Sequence, residues 1–342
     1  MSYAGDWRAR GDYFAWRPSD GGDEVQIFHL EAGDPQAPTL LLVHGFPTSS
    51  IDWYEIIDRL AQRYRVCALD FPGYGFSDKP VGWGYSLVRD AELLGHYLSE
   101  IVKAESAVVY AHDRGDSVAL ILAGDGGVEI DHLFLTNGNV FLPLSNLTIA
   151  QRVMLDPAMA PVMLGSATPD VLAQGMGATT FWPPRGADDP AIEALAETFA
   201  HQDGLRVIHE TIQYLRERAD DEERWLETLA ELEIPTTLIW GLNDTVSPPR
   251  VANWTWNQHL MLKPGRNALY FVSDAGHYLQ NDRPDAVADA ILHALDATGD
   301  EQPGAIAAEP GSPVLVDRSR DRLTEATDLL SPPSEAELSQ AQ

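Results

Sequence analysis

The chain contains few of the residues that attract nucleic acids or form disulfides. Only one of its 342 residues is cysteine and only three are lysine, and the net charge is −29. A surface this acidic repels nucleic acids and anionic membranes, so we expect neither as a partner. The single thiol, Cys67, lies between Val66 and Ala68, and we expect a core residue that is neither catalytic nor disulfide-bonded.

Long apolar runs are also absent. No stretch of about 18 consecutive apolar residues occurs, so we expect no membrane-spanning helix. The N-terminus lacks a basic region followed by an apolar stretch, so we expect no signal peptide and a cytoplasmic location. No oligomeric state follows from these features.

The chain does have alternating apolar strands and helices, which is typical of a parallel α/β sheet. We predict eight strands, near residues 11–17, 24–31, 39–44, 65–70, 106–111, 130–136, 235–240 and 268–273. We predict helices near residues 50–63, 85–103, 114–125, 248–258 and 283–296. A long, mostly helical stretch separates the last two strands from the others. Pro, Ser, Glu, Ala and Gln dominate after residue 298, which predicts a disordered acidic tail at 299–342.

The most informative segment is the turn that follows the strand at 106–111. Asp113 lies at its apex, with the small residues Ala111 and Gly115 two positions away on either side. This is the pattern of a nucleophile elbow, which usually carries Ser or Cys. A carboxylate in that place would attack a saturated electrophilic carbon and form an alkyl ester of the enzyme. Taken alone, residues 111–115 are also consistent with an ordinary acidic residue near the start of a helix.

Four other motifs accompany this HDRG turn at 112–115. They are HGFP at 44–47, LDFPGYGFSDKP at 69–80, GLND at 241–244 and DAGH at 274–277. In this order they resemble the α/β-hydrolase fold, in the branch of epoxide hydrolases and haloalkane dehalogenases, and look most like mesoderm-specific-transcript-type proteins. The resemblance covers about residues 10 to 297.

The resemblance implies a mostly parallel eight-stranded sheet flanked by helices, with a helical cap inserted after the sixth strand. We therefore expect a hydrolase core at 1–139 and 229–298 and a cap at 140–228. It also implies a small-molecule substrate, and we expect neither a cofactor nor a metal ion.

Two further residues complete the expected catalytic set. His277 follows the strand at 268–273, and we expect it to be the general base that activates water to hydrolyse the alkyl ester. Asp244 follows the strand at 235–240, and we expect it to accept the His277 Nδ1 hydrogen. Some dehalogenases carry this acid after the strand at 130–136, where this chain has the uncharged sequence Asn-Gly-Asn at 137–139. The order nucleophile, acid, base matches the fold.

The resemblance further implies an oxyanion hole formed by the backbone N–H groups of Phe46 and Arg114. A cis peptide bond between Phe46 and Pro47 would aim the Phe46 amide inward. The Phe46 side chain would then form an apolar wall of the substrate site.

The chain departs from the substrate-binding residues that each of these two families usually has. Haloalkane dehalogenases generally hold the halide with a Trp directly after the nucleophile, where this chain has Arg114. Epoxide hydrolases protonate the epoxide oxygen with a pair of cap tyrosines, and Tyr214 stands where the second is expected. No other tyrosine lies between Asp113 and Tyr214, so either Tyr214 acts alone or Trp182 assists it.

Arg114 introduces a third substrate class, because fluoroacetate dehalogenases share the HDRG turn and bind the substrate carboxylate with that Arg. For Arg114 itself, however, we expect a surface salt bridge in preference to this role. Epoxide hydrolysis is therefore the favoured function, with haloalkane or haloacid dehalogenation as the alternative. A non-hydrolytic binding protein of the same fold is the alternative of another class.

Overall fold

The computed structural model describes residues 2–297 and 312–316. Within these residues, nine strands form one sheet in the order β1-β2-β4-β3-β5-β6-β7-β8-β9. Strands β3 to β8 run parallel, whereas β1, β2 and β9 add antiparallel edges. The strands are β1 (Asp12–Trp16), β2 (Val25–Ala32), β3 (Thr39–Val43), β4 (Arg65–Leu69), β5 (Ser106–His112), β6 (Glu129–Thr136), β7 (Thr236–Gly241), β8 (Ala268–Val272) and β9 (Val314–Leu315).

Helices cover both faces of this sheet. Those before the insertion are α1 (Tyr3–Arg10), α2 (Ile57–Leu60), α3 (Leu87–His96) and α4 (Arg114–Asp125). Between β6 and β7 lie α5 (Ile149–Leu155), α6 (Ala160–Leu164), α7 (Pro169–Thr180), α8 (Pro190–Ala200), α9 (Ile208–Thr211) and α10 (Tyr214–Glu231). The chain then forms α11 (Pro249–Thr255), α12 (Leu279–Asp282) and α13 (Pro284–Asp296). Within 2–297 and 312–316, none of these helices is long and apolar enough to cross a bilayer.

The central strands are buried along their whole length. Every residue of β3, β7 and β8 is buried, and β5 is buried from its second residue onward. Such continuous apolar runs are expected where helices cover both faces of a parallel sheet. The carboxyl ends of β3, β5, β6, β7 and β8 therefore meet at one edge, where the loops that follow them can converge.

The predicted fold class is confirmed, with a mostly parallel sheet and a helical insertion after the sixth strand. The short strand β9 corrects one prediction, because residues 312–316 belong to the tail expected to be disordered. Tyr270 and Phe271 of β8 pair with Leu315 and Val314, and the Val316 N–H donates to the Leu269 carbonyl. An edge strand presents unpaired backbone groups, and this segment satisfies some of them. The other residues of the predicted tail, 299–311 and 317–342, lie outside the described residues.

Candidate active site

The turn between β5 and α4 places Asp113 at the carboxyl edge of the sheet. Its backbone has φ 53° and ψ −118°, an uncommon conformation for a non-glycine residue and one that is typical of strained functional positions. Small neighbours are required, since a Cβ on Gly115 would lie 2.7 Å from the Val43 carbonyl oxygen and one on Gly45 would lie 2.5 Å from the Asp113 Cβ. The sequence therefore forms a tight elbow that presents a carboxylate.

The two carboxylate oxygens of Asp113 have different surroundings. The Phe46 backbone N–H donates to Oδ1 over 2.8 Å, and the Phe46–Pro47 peptide bond is cis. Oδ2 instead faces His277, with 3.5 Å to its Nε2. One oxygen is thus held by the expected oxyanion-hole amide, and the other is available for attack. The Arg114 amide, at the first position of α4, remains a prediction as the second donor.

His277 lies between two carboxylates. Its Nδ1 is 3.0 Å from Asp244 Oδ2, while its Nε2 faces Asp113. The other Asp244 oxygen accepts the backbone N–H groups of Val246 and Ser247 at 2.7 and 3.0 Å. Because Nδ1 donates to Asp244, Nε2 is directed at Asp113. The structure therefore brings the three expected residues, from three separate loops, into one line.

Electrostatics couples His277 to both acids. Burial opposes the charged imidazolium, but the charges and hydrogen bonds of Asp244 and Asp113 outweigh it and raise the pKa of His277. For Asp113, burial favours the neutral acid, but the hydrogen bond and charge of His277 prevail and lower its pKa. Burial raises the pKa of Asp244, against the opposing effect of His277. Asp113 is consequently an anion, as a nucleophile requires.

Asn137, which stands where some dehalogenases have their acid, fastens the loops of the site together. Its Nδ2 donates to the carbonyl oxygens of Gly276 and His277 at 2.8 and 2.9 Å, and its Oδ1 accepts the Gly241 N–H at 2.9 Å. The side chain thus joins the end of β7 to the loop that carries His277. The uncharged amide has a structural part in this position.

Tyr214, at the start of α10, is linked to Asp113 through Asn139. The residue is buried, and its ring lies 5.8 Å from that of Phe46. Asn139 connects it to the elbow, since its Nδ2 is 3.2 Å from the Tyr214 hydroxyl oxygen and 3.5 Å from Asp113 Oδ2. Burial and the negative charge of Asp113 raise the pKa of Tyr214 well above its usual value, so the phenol carries a proton.

The Arg114 side chain is buried, which corrects the expectation of a surface salt bridge. Its Nη2 pairs with the Asp90 carboxylate. The guanidinium lies 5.1, 5.2 and 5.6 Å from the ring centres of Phe71, Tyr74 and Tyr214. These cation–π contacts and the ion pair hold the side chain in place. Nε and Nη1 have no hydrogen-bond partner among the described residues, but Arg114 does not line the cavity described below. The side chain supports the packing beneath Tyr214, and a role in binding a substrate carboxylate is not favoured.

Trp182 is not brought to the site. It is 41% exposed, and its backbone N–H donates to Asp282 Oδ2 in the loop between α7 and α8. That bond fixes the loop against α12, with the indole outside the lining of the cavity described below. Trp182 is therefore not brought to Tyr214, and the other alternative, in which Tyr214 acts alone, stays a prediction.

A cavity of about 410 Å³ extends from His277 and Phe46 into the insertion. Its walls come mainly from α5 and α7, with Met154, Leu172 and Met176 among the apolar residues. The polar lining consists of neutral threonine and glutamine side chains, Tyr278 and His277 itself. The volume falls in the range of small-molecule sites, about 300–1,000 Å³. The lining suits an uncharged and largely apolar ligand.

Comparisons with known proteins agree with this architecture. A family model described as alpha/beta hydrolase fold matches residues 38–284. The putative hydrolase LipZ of Mycobacterium tuberculosis is 32% identical over 295 residues, which are 85% of this chain and 97% of LipZ. The mesoderm-specific transcript homolog protein of Bos taurus is 30% identical over 255 residues, or 71% and 73% of the two chains. The crystal structure of an alpha/beta hydrolase fold protein from Burkholderia ambifaria has a TM-score of 0.68 and 26% identity, and the match covers 82% of this chain and 96% of that one.

Proposed function

We propose that this chain, which belongs to the α/β-hydrolase family, is an epoxide hydrolase that works through an alkyl ester on Asp113. The observation that carries the proposal is the pairing of a carboxylate nucleophile with a buried, protonated phenol. Asp113 Oδ2 and the Tyr214 hydroxyl both lie within 3.5 Å of the same Asn139 nitrogen. An epoxide needs both groups, because its oxygen stays attached to the substrate and must receive a proton.

In the first step, Asp113 Oδ2 attacks an epoxide carbon and the bond between that carbon and the epoxide oxygen breaks. The electron pair goes to the oxygen, which takes the proton of Tyr214 and becomes a hydroxyl group. The product of this step is an ester between Asp113 and the substrate. Asp113 Oδ1 becomes the carbonyl oxygen of that ester and already accepts the Phe46 N–H.

The second step is hydrolysis of the ester. Formation of the ester removes the negative charge of Asp113, which is one cause of the raised His277 pKa. His277 can then lose its proton and accept one from water, while Asp244 stabilises the imidazolium that forms. The hydroxide attacks Cγ of Asp113, and the developing charge on Oδ1 meets the Phe46 N–H. The intermediate expels the diol oxygen, which takes the proton of the hydroxyl group left on Cγ and so restores the Asp113 carboxylate. The proton that His277 lost before the attack neutralises the Tyr214 phenolate, and the proton that His277 took from water restores its imidazolium.

The mostly apolar lining of the cavity favours an uncharged, largely apolar epoxide as the substrate. A carboxylate substrate has little support, because Arg114 is paired with Asp90 and stacked among aromatic rings. Haloalkane dehalogenation is the second candidate, since Asp113 could attack a halogen-bearing carbon and the Asn139 amide could donate to the departing halide. A halide needs no proton, so the buried phenol of Tyr214 favours the epoxide.

The two candidates and the binding alternative are distinguished by trapping the ester. His277→Gln should retain carboxylate attack and lose ester hydrolysis. The variant is incubated with long-chain epoxides and haloalkanes, and intact-protein and peptide mass spectra are recorded. Addition of the whole epoxide mass at Asp113 supports the proposal. An adduct from haloalkanes alone supports the second candidate, and no adduct from either class supports a binding protein. His132→Gln, a buried histidine bonded to Thr237 on the sheet, is the matched control and should accumulate nothing.

A further inference from the structure

Asn139 is a buried amide that contacts both reacting groups of the proposed site. It lies in the segment after β6, and only 1% of the residue is exposed. Its Nδ2 is 3.5 Å from Asp113 Oδ2 and 3.2 Å from the Tyr214 hydroxyl oxygen. An amide nitrogen has two hydrogens, and this one has two acceptors. No other side chain of the described residues 2–297 and 312–316 is recorded with hydrogen bonds to both Asp113 and Tyr214.

The chemistry of the neighbours determines which amide atom faces them. Asp113 is ionised, and a carboxylate only accepts hydrogen bonds. The opposite orientation would place the amide oxygen against this anion and lose a donor. The nitrogen therefore faces the nucleophile and, with its second hydrogen, the phenol.

This arrangement determines where the Tyr214 proton can point. Because the phenol oxygen accepts from Asn139, the hydroxyl hydrogen is directed away from the amide. The same donation stabilises negative charge on the phenol oxygen and counteracts part of the pKa increase caused by burial and Asp113. Asn139 thus aims the proton and makes it easier to transfer.

The backbone of the same segment is fastened to the helix that carries Tyr214. Arg218 lies one turn after Tyr214 on α10, and its Nε donates to the Asn139 carbonyl over 3.1 Å. Its Nη2 donates to the Val140 carbonyl. Arg218 is itself fully buried, with its guanidinium 5.0 Å from the Trp225 ring centre. The amide and the phenol are therefore held in a fixed relation by one helix.

We propose that Asn139 is a positioning residue that orients the Tyr214 hydroxyl for proton donation and does the work of the second cap tyrosine that this chain lacks. The inference rests on the proposed epoxide hydrolase function. It assigns to a core residue a task that the family resemblance implies for a second cap phenol.

The test is a double-mutant cycle on ester formation, measured in the His277→Gln background with an apolar epoxide. Tyr214→Phe and Asn139→Ala are made singly and together, and the rate of adduct formation is followed by mass spectrometry. We expect Asn139→Ala alone to slow adduct formation by about 10-fold or more, and to add less than about twofold to the loss caused by Tyr214→Phe. Such non-additivity is the signature of a residue that acts through its partner.

If the loss of rate in the double variant equals the product of the two single losses, the inference is overturned. A merely structural amide would slow ester formation equally with and without the Tyr214 hydroxyl. An unchanged rate in Asn139→Ala would overturn it as well. If Asn139→Ala does not fold, Asn139→Leu serves instead, since it keeps about the same size and has no hydrogen-bond donor. Asn267→Ala, which removes a buried amide bonded to Thr236 and Lys263, is the matched control and should leave the rate unchanged. If the parent His277→Gln variant accepts no epoxide, the proposed function itself fails, so the two failures are distinguishable.

Discussion

The catalytic edge of the sheet and the cavity in the insertion are built differently. At the edge, side-chain oxygens accept backbone N–H groups, those of Asp113 and Asn137 from distant segments and that of Asp244 from within its own loop. In the cavity, α5 and α7 contribute mostly aliphatic and methionine side chains. Large apolar residues are also exposed on these helices, with Ile149 83% and Val171 60% exposed. Directional bonds thus fix the chemistry, whereas non-directional packing sets which substrate fits.

The helix α10 joins the insertion to the catalytic edge. The hydroxyl of its Tyr214 accepts from the Asn139 side chain, and its Arg218 donates to the Asn139 carbonyl after β6. A residue of the insertion is therefore held in place by the segment after β6. Changes at the edge should affect the reaction with every substrate, whereas changes in the cavity should affect some substrates more than others.

The largest effect is expected for Asp113→Ala. Loss of the nucleophile should lower kcat by roughly 10⁶-fold, the scale seen when a covalent nucleophile is removed. The melting temperature should change little, because removing a buried charge offsets the lost bond to Phe46. Steady-state assays and thermal denaturation check both. Substantial remaining activity would show that another group attacks the substrate.

His277→Gln should lower steady-state turnover by roughly 10⁴-fold while one equivalent of ester still forms. Lowering the pH of the unmutated enzyme should imitate this loss. Ester formation needs ionised Asp113, whose pKa is lowered, so it persists into acid. Hydrolysis needs neutral His277 and is lost as the pH falls below the His277 pKa of the ester form. Rapid-quench mass spectrometry should show the ester accumulating at low pH, and equal slowing of both steps would contradict this account.

Tyr214→Phe should slow ester formation from an epoxide by roughly 10²-fold, the scale for losing a general acid. The same variant should change the rate with a bromoalkane only a few-fold, because bromide leaves without a proton. Tyr270→Phe, which removes a phenol bonded to His293, is the matched control. An unaltered rate with every epoxide would move the function to carbon–halogen cleavage. Trp182→Ala should leave all these rates unchanged, because the indole lies outside the site.

The smallest effect is expected in the cavity, for Gly175→Leu. Gly175 lines the cavity on α7, and a Cβ added there has no atom within 4 Å, so the new side chain should narrow the cavity without moving the backbone. We expect kcat/KM to fall about 10-fold for a long-chain epoxide and to stay unchanged for a three-carbon one. Gly127→Leu, at an equally open surface position, is the control. Equal losses for both substrates would contradict a division of work between edge and cavity.

The sequence predicts the sheet and the elbow well, because both depend on local patterns. Continuous apolar runs indicate buried parallel strands, and a carboxylate between small residues indicates the turn that holds Asp113. The loops with Asp244 and His277 follow strands that end at the same edge, so their approach follows from topology. The family resemblance implies a proton-donating role for Tyr214, and its hydroxyl oxygen lies 3.2 Å from Asn139 Nδ2.

Contacts between distant parts of the chain were not predictable in this way. Asp90 and Arg114 are 24 residues apart, and nothing local indicates that they form a buried pair. The uncharged residues at 137–139 indicate that the acid carried there by some dehalogenases is missing. The hydrogen bonds that these residues form with other loops depend on tertiary packing. The place of Trp182 was not predictable, because its loop is held by a bond from the Trp182 backbone N–H to Asp282, 100 residues away. The strand β9 was hidden because two paired residues leave almost no pattern.

A single-turnover experiment in oxygen-18 water tests the central claim, attack by Asp113 followed by ester hydrolysis, most directly. Excess enzyme is mixed with an apolar epoxide, and the diol and the Asp113 peptide are examined by mass spectrometry. Because water attacks Cγ of the ester, we predict a first diol without oxygen-18 and a labelled Asp113 carboxylate. A first diol that carries the label, with Asp113 unlabelled, would show that water attacks the epoxide directly and would contradict the account.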